Sequence, residues 1–348
     1  MIKSTENELQ DHLEARLSSY LEAHLPFFKG PLQLRQFPGG RSNPTFLIKA
    51  QSGLYVMRRQ PPGSLLKSAH AVDREYRVIE ALGRTDFPVP RALHLCRDPE
   101  VVGSLFYVMS YERGRIFSYQ ALPEIDRGER LSYYEEMIRV LGRLHRLDPA
   151  EIGLSDFGKP GNYFRRQMER MTRQYRASET ETIADMEQLM TWLSARTPAE
   201  DGAIGLVHGD FHFSNVIFQD LSPRIRAVLD WELSTLGHPL ADLGYFCMGL
   251  RLPDSFVIRG LAGKDRRVWG LPEERQIIDL YTENRGLGAI KNWTFYLVFA
   301  FFRLAAIVQG VKKRGIEGTA SHREEALQLG PVPARLARMA MEIIEKEP

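Results

Sequence analysis

Cysteine is nearly absent: Cys96 and Cys247 are the only two in 348 residues, and neither lies at metal-ligand spacing from suitable partners. A disulfide framework and a zinc motif are thereby excluded, and reduced thiols of a cytoplasmic protein are the expectation. An excess of either charge is also lacking. With 46 basic and 44 acidic side chains the formal net charge is +2, so no global field draws the chain to nucleic acid or an anionic membrane. Long apolar runs are scarce as well. The most apolar stretch, residues 293–308, is broken by Arg303 and falls short of the ~20 residues that a membrane helix needs, so it reads as a buried helix. The opening Met1-Ile2-Lys3-Ser4-Thr5-Glu6-Asn7-Glu8 has no apolar core of a secretory signal. No repeat or low-complexity segment occurs, and Gly260-Leu261-Ala262-Gly263-Lys264-Asp265 lacks the spacing of a P-loop. At 43% hydrophobic and 26% charged residues, the chain has the composition of a globular protein, long enough for two domains of ~100–200 residues each.

Against this plain background stands His208-Gly209-Asp210-Phe211-His212-Phe213-Ser214-Asn215, followed by Asp230-Trp231-Glu232. Phosphoryl transfer through a loose transition state needs a carboxylate to orient the acceptor hydroxyl and metal-bound oxygens to neutralise the phosphates. Asp210 supplies the first, as the catalytic carboxylate. Asn215, through its amide oxygen, and Asp230, through a harder carboxylate, supply ligands for Mg2+. Apolar runs at 204–207, 216–218 and 225–229 predict short strands that deliver these three side chains to one edge. His208 is expected to hold the loop by hydrogen bonding, because a carboxylate two residues on already has the catalytic role. His212 and Glu232 lie beside proposed catalytic residues with no assigned task.

These stretches, with Pro239-Leu240-Ala241-Asp242-Leu243, resemble the aminoglycoside phosphotransferase and choline kinase-like family, which shares the protein kinase fold. The resemblance is closest to the kinase-like domain fused to acyl-CoA dehydrogenases in some animal proteins, and to its stand-alone bacterial relatives. It runs from about Phe37 to the last helix. It implies an α+β, bilobal protein kinase-like fold: a small N-terminal antiparallel sheet lobe with one main helix, and a larger, mostly helical C-terminal lobe. The expected divisions are a helical extension over 1–30, a nucleotide-binding lobe over 31–112 and a catalytic, acceptor-binding lobe over 113–348.

In the first lobe, strands are predicted at 32–37, 45–50, 54–60, 91–96 and 105–111, and a helix at 71–82. Before them, Thr5-Glu6-Asn7-Glu8 fits a capping box for an amphipathic helix bearing Leu9, Leu13, Leu17 and Leu21. Between strands, Pro38-Gly39-Gly40-Arg41-Ser42-Asn43 could bring backbone amides close to phosphates. By resemblance this is the phosphate-covering loop, which makes Gly39, Gly40, Ser42 and Asn43 nucleotide-binding candidates. The resemblance also puts Arg58 where protein kinases have a phosphate-holding lysine, a departure in reach and geometry. Glu75 is its expected partner. Ser110, Tyr111 and Glu112 are implied at the adenine edge, with Gly114 as a hinge, and Asp242 as a buried brace for the catalytic loop.

Among the predicted helices of the second lobe, the one from Tyr163 carries Arg166, Arg170 and Arg173 on one face, which could bind an anionic acceptor such as the phosphates of coenzyme A. A solvated helix face is the alternative. His145 is expected as a core or supporting histidine.

The reading is a phosphotransferase using Mg2+ and ATP, or GTP, on a small-molecule hydroxyl. The resemblance points to a hydroxyacyl-CoA or related metabolite as acceptor. Two alternatives stay open: a catalytically silent nucleotide-binding regulatory module of acyl-CoA metabolism, and an antibiotic- or choline-type kinase with a cationic acceptor. Neither nucleic acid nor membrane is an expected partner, and the sequence leaves the oligomeric state undefined.

Overall fold

Five strands, β1 (Leu32–Gln36), β2 (Thr45–Ala50), β3 (Gly53–Arg59), β4 (Ala92–Cys96) and β5 (Phe106–Ser110), pair antiparallel in the order β1-β2-β3-β5-β4. The structure, a computed structural model, describes residues 2–38, 43–61, 71–255, 259–320 and 322–346, with side chains from residue 10 onward.

Strand alternation in β3 decides what each face of this sheet does. Tyr55 and Met57 point to one side, where they join Ile48, Phe106 and Val108 in an apolar cluster with Leu17, Leu21, Leu25 and Phe28. Leu17 and Leu21 belong to helix α1 (Ile2–His24), so this helix closes one face of the sheet and shares its core. The helix begins before the expected capping box, whose side chains lie outside the described ones. Arg58, one residue on from Met57, faces the other way, toward helix α2 (Val72–Leu82), whose buried Glu75 meets it. A one-turn helix, α3 (Pro99–Val102), adds Val101 and Val102 to the apolar cluster.

The described chain divides into two compact units, Met1–Arg115 with Val216–Glu232, and Ile116–Asn215 with Leu233–Pro348. The second is built from α4 (Arg130–Leu144), α5 (Tyr163–Ser178), α6 (Ala184–Ala195), α7 (Leu240–Arg251), α8 (Arg266–Trp269), α9 (Glu274–Arg285), α10 (Trp293–Glu317), α11 (Arg323–Gln328) and α12 (Val332–Glu345). By length and composition α10 could cross a membrane, yet 78% of its apolar window is buried inside the unit, as the sequence reading expects of a core helix. It packs against α5, α6, α7, α11 and α12. Both cysteines are free and buried.

The strands around the catalytic motif depart from expectation. β6 (Gly205–Val207) pairs with β9 (Thr235–Gly237), a strand with no signal of its own in the sequence, whereas β7 (Val216–Phe218) pairs with β8 (Ile225–Val228). The three predicted strands therefore do not share one sheet edge. The β7–β8 hairpin belongs to the unit of the five-stranded sheet, and β6–β9 to the helical unit. Gly114, expected as a hinge, sits where an added Cβ would come within 2.1 Å of the Phe218 carbonyl, which explains why glycine is needed there.

Candidate active site

In the helical unit the loop after β6 is held from beneath by one carboxylate. Asp242, fully buried in the first turn of α7, accepts the backbone N–H of His208 at 2.7 Å and that of Gly209 at 2.8 Å. It faces the loop rather than capping its own helix. His145 Nε2 lies 3.2 Å from the same carboxylate, and His145 Nδ1 lies 2.7 Å from the Tyr281 hydroxyl. Burial lowers the His145 pKa, so the ring is neutral at ordinary pH, with Nε2–H donating to Asp242 and Nδ1 accepting from Tyr281. Burial alone would raise Asp242, but the bond from His145 and the loop amides hold it below the usual carboxylate range. Gly209 has φ +85, and an added Cβ would stand 2.7 Å from the Leu233 carbonyl, so only glycine fits this turn.

The braced loop presents Asp210. His208 Nδ1 accepts the Asp210 N–H at 3.1 Å, the loop-holding role expected of it. Ser214 N–H donates to His212 Nδ1, which puts the imidazole proton on Nε2, 3.4 Å from the Asp210 carboxylate. The buried Tyr245 phenol, on α7, lies near Asp210 and helps to hold its carboxyl down. Burial works to raise the Asp210 pKa, but His212 and Tyr245 outweigh it and hold the carboxyl far below its ordinary value. Asn215 donates its amide to the Asp210 backbone oxygen at 2.9 Å and to its carboxylate at 3.0 Å. With Nδ2 so engaged, Oδ1 is turned away from Asp210 and suits a cation. Tyr245 lies one helical turn beyond Asp242 on α7, the signal by which it could have been found.

In the sheet unit the geometry centres on Arg58. Its guanidinium lies 3.0 Å from Glu75, 2.7 Å from Asp230 and 3.2 Å from Glu232. The expected Arg58–Glu75 pair is present as an ion pair, and Glu232 gains a partner the sequence did not assign. Asn43 is buried and donates to Glu232 at 3.4 Å. Asp230 adopts φ +63, a conformation uncommon for a non-glycine residue, and such backbone outliers concentrate at functional sites. Trp231 locks the turn below it, fully buried with Nε1–H on the Val228 carbonyl at 3.1 Å. At the end of β5 the Ser110 hydroxyl donates to Glu112 at 2.6 Å and accepts the Arg91 N–H at 2.8 Å, while Tyr111 is exposed. Gly39, Gly40 and Ser42 lie outside the described residues.

Burial raises Glu75 to about 7 from its ordinary 4.5, against the pull of Arg58 and with help from Asp230 and Glu232. As the pH rises from 4.5, the unfolded chain gives up this proton before the folded one does. The contribution to stability is therefore whole below 4.5, declines as the pH rises through 7 and is absent above. Glu75→Gln should remove that decline, read as a flatter melting temperature between about pH 5 and 8. An unchanged slope would mean that Glu75 is ionised in the fold throughout.

On the arginine face of α5, Arg166 donates to the Lys159 and Pro160 carbonyls and Arg170 to the Gln167 side chain, while Arg173 is exposed. Two of the three predicted anion binders therefore already have acceptors. Among the described residues no group of three His, Cys, Asp or Glu side chains could hold a metal alone. Asn215 in the helical unit and Asp230 in the sheet unit each carry an oxygen of the kind that Mg2+ takes.

A braced loop with an ionised aspartate and an amide oxygen beside it, and an arginine–carboxylate cluster behind a small antiparallel sheet, together define a kinase-like phosphotransferase. Residues 33–276 match the model of the phosphotransferase enzyme family, and the chain belongs to that family of small-molecule kinases. It is 42% identical over 339 residues to acyl-CoA dehydrogenase family member 10 of Mus musculus, covering 97% of this chain and 31% of that protein. The chain spans less than half the length of the curated relatives it matches. A solved Ralstonia eutropha protein, provisionally described as an aminoglycoside phosphotransferase, is 44% identical with a TM-score of 0.86, covering 95% of this chain and 98% of that one. At 13% identity and a TM-score of 0.62, a spectinomycin phosphotransferase solved with ADP and spectinomycin shares the fold, with 94% and 98% covered.

Proposed function

We propose that this protein transfers the γ-phosphate of ATP, or GTP, in a Mg2+-dependent reaction to a hydroxyl of a small molecule, with a hydroxyacyl-CoA as the leading acceptor class. The observation that carries the reading is Asp210: a carboxylate kept ionised by His212 and Tyr245, with the Asn215 amide steering its own oxygen away. The ADP complex of the spectinomycin phosphotransferase supports a nucleotide donor, and the acyl-CoA dehydrogenase relatives support a CoA-linked acceptor.

A carboxylate held so far down is a weak base, so its main task is to align the acceptor hydroxyl and to take its proton late, as a loose transition state allows. Asn215 and Asp230 would hold Mg2+, which when bound neutralises charge on the phosphates. Asp242 keeps the loop geometry fixed without touching the reactants. Arg58, tied to Glu75, would offer the nucleotide phosphates a planar fork in place of a lysine point charge.

Incubation with γ-labelled ATP and a panel of hydroxyacyl-CoAs, sugars and amino alcohols tests this reading. Label in an organic phosphomonoester supports it and names the acceptor class. ATP binding without transfer to any member would favour the silent module, and transfer to amino alcohols alone would favour a cationic acceptor. Asp230→Ala should weaken nucleotide binding in the presence of Mg2+ by at least about tenfold, and much less in its absence, in calorimetric titrations. An unchanged dependence on Mg2+ would remove Asp230 from the metal site.

A further inference from the structure

Two cations are buried along α10, and only one has a counter-charge. Lys312, 8% exposed, pairs with Glu181 at 2.5 Å. Arg303, also 8% exposed, has no hydrogen bond or ion pair to its guanidinium among the described residues. Its guanidinium carbon lies 5.5 Å from the centre of the Tyr245 ring, and Tyr245 is the phenol that neighbours Asp210. The nearby carboxylates are already engaged. Asp210 accepts from Asn215 and faces His212, and Asp242 accepts from His145 and two backbone amides. Contact with an aromatic face uses none of the five N–H donors of a guanidinium, which stay open to water or to a ligand.

Positive charge gathers here. Burial, and after it repulsion from Arg303, lowers the pKa of Arg170 on α5, and the half-buried Tyr163 feels Arg303, then Asp242 in opposition, then Arg170 and Arg166. A cavity of about 30 Å³ lies beside Tyr245, lined also by Gln120, His212, Ser214 and Arg259 but not by Arg303 itself. A guanidinium whose donors meet no protein acceptor is free to take a ligand oxyanion in a charge-assisted, bidentate pair.

We propose that Arg303 anchors an oxyanion of the acceptor, a carboxylate or a phosphate, beside the Asp210–Tyr245 pair, and so selects anionic acceptors. The proposal rests on the reading of Asp210 as the residue that meets the acceptor hydroxyl. Arg303 comes from a helix some ninety positions beyond the loop it serves, and its sequence signal is only a charge inside an apolar run.

The test is calorimetric binding without nucleotide, using 3-hydroxybutyrate against 3-hydroxybutyramide and 3-hydroxybutyryl-CoA against 3-hydroxybutyryl-pantetheine. The wild type should prefer the anionic member of at least one pair by about tenfold or more. The acid pair identifies a carboxylate and the thioester pair a phosphate as the anchored group. Arg303→Met should abolish the preference, Arg303→Lys should restore part of it, and neither should lower the melting temperature of the unliganded protein, since no internal partner is lost. A wild type without preference, or an Arg303→Met protein that keeps it, would overturn the proposal, as would Arg303→Met melting well below wild type with its preference intact. If the preference behaves as expected while no probe is ever phosphorylated, the anchor stands and the phosphotransferase reading fails.

Discussion

Asp210→Asn is expected to lower kcat by about 10²–10⁴-fold while the affinity for Mg-ATP changes by no more than about threefold. The substitution keeps the shape of the side chain and its place among His212, Tyr245 and Asn215, so the loop should persist. It removes the full negative charge that, in the proposed reaction, aligns the hydroxyl and finally takes its proton. Because Asp210 titrates far below its ordinary range, the wild-type rate should show no inflection from this group at pH 5–8, and none should vanish in the variant. Steady-state rates across pH, with nucleotide binding measured separately, check both statements. A variant near the wild-type rate would show that Asp210 is not the catalytic carboxylate.

The second large effect belongs to a residue that touches no reactant. Asp242→Ala strips acceptors from the His208 and Gly209 amides and from His145, all buried. Leaving such groups unpaired costs about 1–3 kcal/mol each, and breaking a buried charged network about 3–5 kcal/mol in all. A stability loss of about 3–5 kcal/mol in denaturant unfolding is therefore expected, with activity falling as the loop loses its geometry. Asp242→Asn, which keeps one acceptor oxygen, should fall between. A loss below about 1 kcal/mol would mean that the loop is held by other contacts.

The 208–215 loop was legible because its candidate side chains stand at fixed spacing within eight residues, and glycine at position 209 is dictated by a local turn. The five-stranded sheet was legible for a similar reason, since period-two patterning and short turns are local signals. What failed to show was long-range. β9 pairs with β6 across some thirty residues without patterning of its own, and the 216–232 hairpin joins the sheet unit although it follows the catalytic loop in sequence. Helix α1 reads as an amphipathic extension that packs on the body, and the structure adds only where: Leu17 and Leu21 lie inside the sheet's core. Tyr245 and Arg303 sit in apolar helices where a phenol and a guanidinium look like core residues, and only the tertiary structure sets one on Asp210 and the other against the first. Glu232 was unassigned for the same reason, because its partner Arg58 lies 174 positions away.

Phosphorus NMR of the wild-type protein turning over Mg-ATP with its preferred acceptor tests the central claim most directly. The account predicts a phosphomonoester resonance that grows in step with ADP and is absent with Asp210→Asn. ADP accompanied only by inorganic phosphate, or a phosphomonoester formed equally well by the Asp210 variant, would contradict it.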